Sequence, residues 1–227
     1  MKPVAIFDID GTIFRSSLLI ELVNMLIEKE IFPVEARKVF EDDYTAWVNR
    51  EDTYERYIQS VVSSFLMYLK GVHYGELKDT ADIVLEHHQQ RVYRYTRDLL
   101  KELKEKGYFL LAISHSPKLI LDGFCKNLGF DKVYGMIYEI GPEGRFTGII
   151  EDEHIIRNKA NVLRRALEKE HLDLKGSIGV GDTESDISFL EIVERPICFN
   201  PNTELYRYAR LNNWKVVVER KDVVYEL

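Results

Sequence analysis

Two pairs of aspartates and one lysine are the residues of this chain whose types and spacing could do chemistry. Asp8 and Asp10 end a short apolar run, Val4-Ala5-Ile6-Phe7, and are followed by Gly11-Thr12. Asp182 and Asp186 follow a second such run in Gly179-Val180-Gly181-Asp182-Thr183-Glu184-Ser185-Asp186. Side chains alternate along a strand, so Asp8 and Asp10 are expected on one face with Ile9 on the other. Carboxylates that close repel unless a cation, a proton or basic side chains compensate. Residues four apart share a face once the chain turns helical, which would bring Asp182 and Asp186 together. Their alternative role is helix capping. Lys159 heads an apolar stripe of Val162, Leu163 and Ala166, where a lysine either snorkels out or pairs with acids. A hydroxyl, Ser114, closes another apolar run before His115-Ser116-Pro117.

These groups need a frame that carries them to one place. The apolar runs of strand length at residues 4–7, 108–113, 133–138, 177–180, 196–199 and 215–218 alternate, after the first, with helical patterns. Helices are expected around Leu99, Leu100 and Leu103 up to Gly107, at about 117–128, from Asn158, from Ser185 and at 203–211, and Gly141-Pro142-Glu143-Gly144 reads as a hairpin turn with its second arm at 145–150. Such alternation defines an α/β fold with a Rossmann-like parallel sheet covered on both faces, whose sites lie at the C-terminal ends of the strands. Between the first strand and the rest lie only helical patterns. One runs from Leu18 to Ile27 with Ser16 or Ser17 as cap, and one is opened by Pro33 with Val34, Val39, Phe40 and Trp47 on its apolar face. A third spans Tyr54 to Leu69, stopped by Gly71, and a fourth runs from Leu77 to Leu85. The division expected is a discontinuous α/β core, residues 1–14 and 89–227, with an inserted all-helical cap at 15–88.

Composition narrows the function. The chain has 227 residues, of which 45% are hydrophobic and 30% charged, as in ordinary globular domains. A net charge of -7 without a basic cluster argues against nucleic acid, and an anionic substrate would need a metal or local positive charge. The two cysteines, Cys125 and Cys198, lack ligand spacing and read as buried thiols of a reducing compartment. No apolar run is long enough for a membrane and none resembles a signal peptide, so a cytoplasmic location is expected. Oligomeric state cannot be read from this sequence.

Asp8-Ile9-Asp10-Gly11-Thr12, Ser114, Lys159 and Gly181-Asp182-Thr183-Glu184-Ser185-Asp186 together resemble the four ordered motifs of the haloacid dehalogenase-like phosphatases. The cap placed after the first motif resembles the helical-cap subclass. Ser114-His115-Ser116-Pro117 and the run from Phe199-Asn200-Pro201-Asn202 to Trp214 are similar to its phosphoserine-phosphatase-like branch. The resemblance implies an Mg²⁺-dependent phosphomonoesterase acting on a small phosphorylated metabolite. Asp8 would be the nucleophile and form an aspartyl-phosphate, and Asp10 the acid and base. The metal would be held by the Asp8 and Asp182 side chains and the Asp10 carbonyl, with Asp186, Thr183 and Ser185 behind them. Gly11, Thr12, Ser114, its neighbour His115, and Lys159 would serve the phosphate, Lys159 also balancing charge in catalysis.

Phosphoserine phosphatases grip their substrate with a cap glutamate and a cap arginine. Here the glutamate position falls near Ser17, with Glu21 a turn later, and the arginine position near Gln59, with Arg56 a turn away. The cap also carries Tyr44, Trp47, Tyr54, Tyr57, Phe65 and Tyr68; helix packing accounts for most, and a substrate ring is the alternative. His87 and His88 read as surface residues. Phosphoserine phosphatase proper, a phosphotransferase or mutase, and, more remotely, a receiver-like signalling module are the competing functions.

Overall fold

The computed structural model describes residues 2–151 and 158–227. Eight strands form one sheet in the order β4-β3-β2-β1-β5-β6-β7-β8. Its middle is parallel: β1 (Pro3–Phe7) lies between β2 (Phe109–Pro117) and β5 (Asp173–Gly181), flanked by β3 (Lys132–Ile140), β6 (Arg195–Phe199) and β7 (Lys215–Arg220). Both edges are antiparallel hairpin arms, β4 (Phe146–Glu151) on β3 and β8 (Val223–Glu226) on β7.

The alternation of β1 shows how the sheet sorts its side chains. Ala5, Phe7 and Ile9 enter one apolar cluster, and Val4 and Ile6 enter the other on the opposite face. The second cluster is completed by α8 (Lys159–Glu170), α9 (Ile187–Leu190) and α10 (Thr203–Leu211) through Val162, Leu163, Phe189 and Leu205. The first is shared with α6 (Arg94–Glu105), α7 (Lys118–Leu128) and all but α3 of five successive helices that precede them. Those are α1 (Leu18–Glu28), α2 (Glu35–Lys38), α3 (Glu41–Val48), α4 (Tyr54–Leu69) and α5 (Tyr74–His88), with no strand among them. The chain enters and leaves this helical block side by side. Arg15 N donates to Arg91 O (2.8 Å), Tyr93 N donates to Ile13 O (2.9 Å), and Phe14 pairs with Val92.

Three details depart from the sequence reading. The single helix expected after Pro33 is two, α2 and α3, broken where Phe40 leaves the helical region (φ -126°). Only Ala36 and Phe40 of this segment are buried, while Val34 is 63% exposed, so the apolar stripe was not one face. β2 runs on to Pro117 through an irregularity after Ile113 instead of stopping before Ser114. β8 was not foreseen.

Candidate active site

β1 delivers Asp8 to the sheet edge by a strand bond that continues one residue past it, Asp8 N donating to Val180 O of β5 (2.9 Å). Asp8 continues the face of Val4 and Ile6, toward α8. Asn158 caps that helix, its Oδ1 accepting from Ala160 N and Asn161 N, which fixes Lys159 as the first helical residue. Lys159 does not snorkel: it is 2% exposed, and its Nζ lies 2.6 Å from Asp8 Oδ1 and 2.6 Å from Asp186 Oδ1. Burial pushes the Lys159 ammonium down, but Asp186 and Asp8 outweigh it and hold it above the ordinary lysine range.

Asp186 is fully buried and wholly engaged. Its Oδ2 accepts from the amides of Asp182 (2.9 Å) and Thr183 (3.1 Å), so it ties the loop after β5 to Lys159. Gly181 is obligatory there because a Cβ would stand 2.5 Å from the Asp186 side chain. Thr12, also fully buried, donates to Asp182 Oδ1 (3.1 Å). Gly11 has φ +79° and a Cβ on it would lie 2.1 Å from Asp182 Oδ2, so only glycine fits. Thr183 Oγ1 and Ser185 Oγ are hydrogen-bonded to one another (2.9 Å), and Ser185 is exposed.

Asp10 is held apart from this group. Leu18 N at the start of α1 donates to its Oδ1 (2.6 Å), and Ser114 Oγ donates to its Oδ2 (2.7 Å). Ser114 is itself buried and accepts from Ser116 N (3.0 Å), a bond made by the irregular end of β2. His115 between them is solvent-exposed.

Asp8, Asp182 and Asp186 each place a carboxylate oxygen within 4.8 Å of the others. Against them stands one ammonium, and the energetic result falls on the acids. Burial chiefly pushes Asp8 up to about 7, Lys159 opposing and Asp186 and Asp10 adding to it. Burial, with Asp8 and Asp186, likewise holds Asp182 well above the usual carboxylate range. Asp8 Oδ2 and Asp182 Oδ2 accept no hydrogen bond from the described residues. An all-oxygen set with two carboxylate oxygens left without a partner fits a hard divalent cation.

A cleft of about 1270 Å³ is lined by Gly11 and Asp182 together with Tyr44, Trp47, Tyr54 and Tyr57 of the helical block and its loops. Arg15, Arg37, Arg50 and Arg91 also line it. The two cap residues suggested by the phosphoserine phosphatases do not. Glu21 pairs with Arg91 (3.0 Å), and Arg56 pairs with Asp43 and Asp52 (2.9 Å each) at the surface. The lining arginines escaped the sequence reading because they come from separate loops and helices with nothing in their spacing to join them.

Residues 5–191 match the model of the haloacid dehalogenase-like hydrolases. The chain belongs to that family. Among curated proteins it is 23% identical to an "inhibition of morphological differentiation protein" of Streptomyces azureus (95% of this chain, 78% of the relative). It is 24% identical to a histidinol-phosphatase of Neisseria meningitidis serogroup C (96% and 99%) and 22% to a phosphoserine phosphatase of Methanocaldococcus jannaschii (98% and 94%). A solved structure of a phospho-aspartyl intermediate analogue of phosphoserine phosphatase superposes with a TM-score of 0.64 at 20% identity, covering 97% of this chain and 95% of that one. The protein is thus a hydrolase with phosphatase relatives, built on a sheet they share.

Proposed function

We propose that this protein is a metal-dependent phosphomonoesterase, with residues 15–88 as a cap over an α/β core. The reading is carried by the convergence of Asp8, Asp182 and Asp186 on the buried Lys159, with Asp10 held separately alongside. Phosphatase relatives spanning nearly the whole chain support it.

In this mechanism Asp8 attacks phosphorus and forms an aspartyl-phosphate while the ester oxygen leaves. Asp10 gives that oxygen its proton, then takes one from the water that hydrolyses the intermediate, so Asp8 and Asp10 end as they began. Ser114 turns its hydroxyl from Asp10 to a phosphoryl oxygen, and Lys159 balances charge on Asp8 and the phosphate. The Asp8 and Asp182 side chains and the Asp10 carbonyl would hold Mg²⁺, whose size and preference for oxygen suit them. When bound, the ion supplies the positive charge that keeps Asp8 ionised and offsets the phosphoryl group. Without it, four acids and one lysine repel a phosphate. Asp186 anchors Lys159 and the loop bearing Asp182, and Thr12 orients Asp182. The two unbridged, buried cysteines suit a cytoplasmic enzyme.

A phosphate-release screen over phosphomonoesters with Mg²⁺ tests the proposal. Turnover is expected in the parent protein and neither in Asp8→Asn nor after EDTA and dialysis. Activity equal to the parent's in either case sinks the assignment. An isomerised ester in place of free phosphate would mark a mutase.

A further inference from the structure

The rings of the helical block are not all packing. Phe65 and Tyr68 are, against Phe32 and, for Phe65, Tyr138. Tyr44, Trp47, Tyr54 and Tyr57 form a different group. Trp47 lies nearly parallel to Tyr57 (5.5 Å, 13°), and Tyr54 meets Trp47 edge-on (5.2 Å, 62°). Tyr57 is the floor, 4% exposed, whereas Tyr44, Trp47 and Tyr54 keep 45%, 37% and 36% of their surface open. Helix packing alone would bury such rings, and here they line the same cleft as Asp182. Tyr54 stands near the acids: burial, then Asp10 and Asp182, raise its phenol well above the ordinary range.

Charge completes the picture. Arg15, Arg37 and Arg50 line the cleft without a carboxylate within 4.0 Å among the described residues. The glutamates in the lining each have a partner, Glu55 in Gln59 (2.8 Å), Glu184 in Asn202 and Glu204 in Arg207 (2.9 Å). A substrate ammonium would meet three guanidinium groups with no carboxylate partner among the described residues, while the acids of the lining are the proposed metal ligand Asp182 and three hydrogen-bonded glutamates.

We infer that the leaving group of the substrate is flat and ring-bearing and carries no positive charge, its ring covering the open faces of Trp47 and Tyr54. This rests on the phosphatase reading and narrows it away from phosphoserine.

The test compares kcat/KM for benzyl phosphate, phosphoserine and histidinol phosphate, with Mg²⁺ present. Benzyl phosphate should exceed phosphoserine by about tenfold or more, the size of one well-placed aromatic contact, and Trp47→Ala or Tyr54→Leu should bring the ratio toward one. Phosphoserine turned over equally well, or a ratio that neither variant changes, overturns the inference. Histidinol phosphate, with both ring and ammonium, should fall below benzyl phosphate; parity or better overturns the charge half. Absence of phosphate release from every ester would count against the phosphatase reading alone. The ring preference is then read by calorimetric titration of benzylphosphonate against ethylphosphonate. About tenfold tighter binding of the former is expected, and equal affinity overturns it.

Discussion

Lys159 decides whether the buried acids can coexist. Asp8 and Asp186 share its ammonium, and both are almost inaccessible to water. Removing one partner of a buried ion pair costs about 3 kcal/mol or somewhat more, because the remaining charge is stranded. Lys159→Met is therefore expected to lose about 3 kcal/mol of stability at pH 8, read from urea melts, and at least a hundredfold in phosphate release. A variant as stable as the parent would show that the acids simply take up protons. Tyr57 offers a cleaner titration, away from the proposed metal ligands. Burial chiefly, with Tyr44 and Glu21, pushes its phenol from 10.0 to about 12, Arg37 opposing. The folded state then favours the neutral phenol. Its stabilisation is whole below pH 10 and declines as pH rises from 10 toward 12. The stability advantage of the parent over Tyr57→Phe should shrink by about 1 kcal/mol between pH 8 and 11. A constant difference would contradict this.

At the scale of elements, loops are held by residues with little freedom. Gly11 sits in the left-handed region with Asp182 Oδ2 where a Cβ would be. Gly11→Ala should cost about 1 kcal/mol in stability from backbone strain. Its larger effect should be on activity, because the displaced atom belongs to a proposed metal ligand. A drop of tenfold or more in phosphate release with a small change in melting temperature is expected, and unaltered activity would place Asp182 outside the reaction. This geometry also explains what the sequence could convey. β1 was legible because an apolar run stops at two acids, and α8 because Asn158 and the Val162, Leu163, Ala166 stripe mark its start and buried face. β8 was not legible. Val223-Val224-Tyr225 is a short run between charged residues at the end of the chain, and it becomes a strand only because β7 offers it an edge. The break between α2 and α3 was equally hidden, since Val34 and Trp47 carry the right spacing but stay 63% and 37% exposed. Side-chain pairings such as Ser114 with Asp10 depend on a strand irregularity that no spacing encodes.

Over the whole molecule, the helical block and the sheet are not independently packed. One apolar cluster joins Leu22 and Leu26 of α1, Phe65 of α4 and Leu85 of α5 to Phe124 and Cys125 of α7 and Phe7 of β1. Calorimetry is expected to show a single unfolding transition, with equal calorimetric and van't Hoff enthalpies. Two resolved transitions would mean that the block folds alone. The shared cluster sets how firmly the helices sit, whereas the crossing at Arg15 and Arg91 sets what could replace them. Because those two chain segments are hydrogen-bonded to each other, any segment spliced between them begins and ends at the same place. The entropy of closing such a loop grows only slowly with its length. A longer, shorter or differently folded insert therefore changes the cost of assembling the sheet very little, provided that it covers the apolar face. On the proposed reading, substrate choice is then free to diverge through the insert while Asp8, Asp10, Lys159 and Asp182 keep their positions, so variation in one part of the gene need not compromise the other.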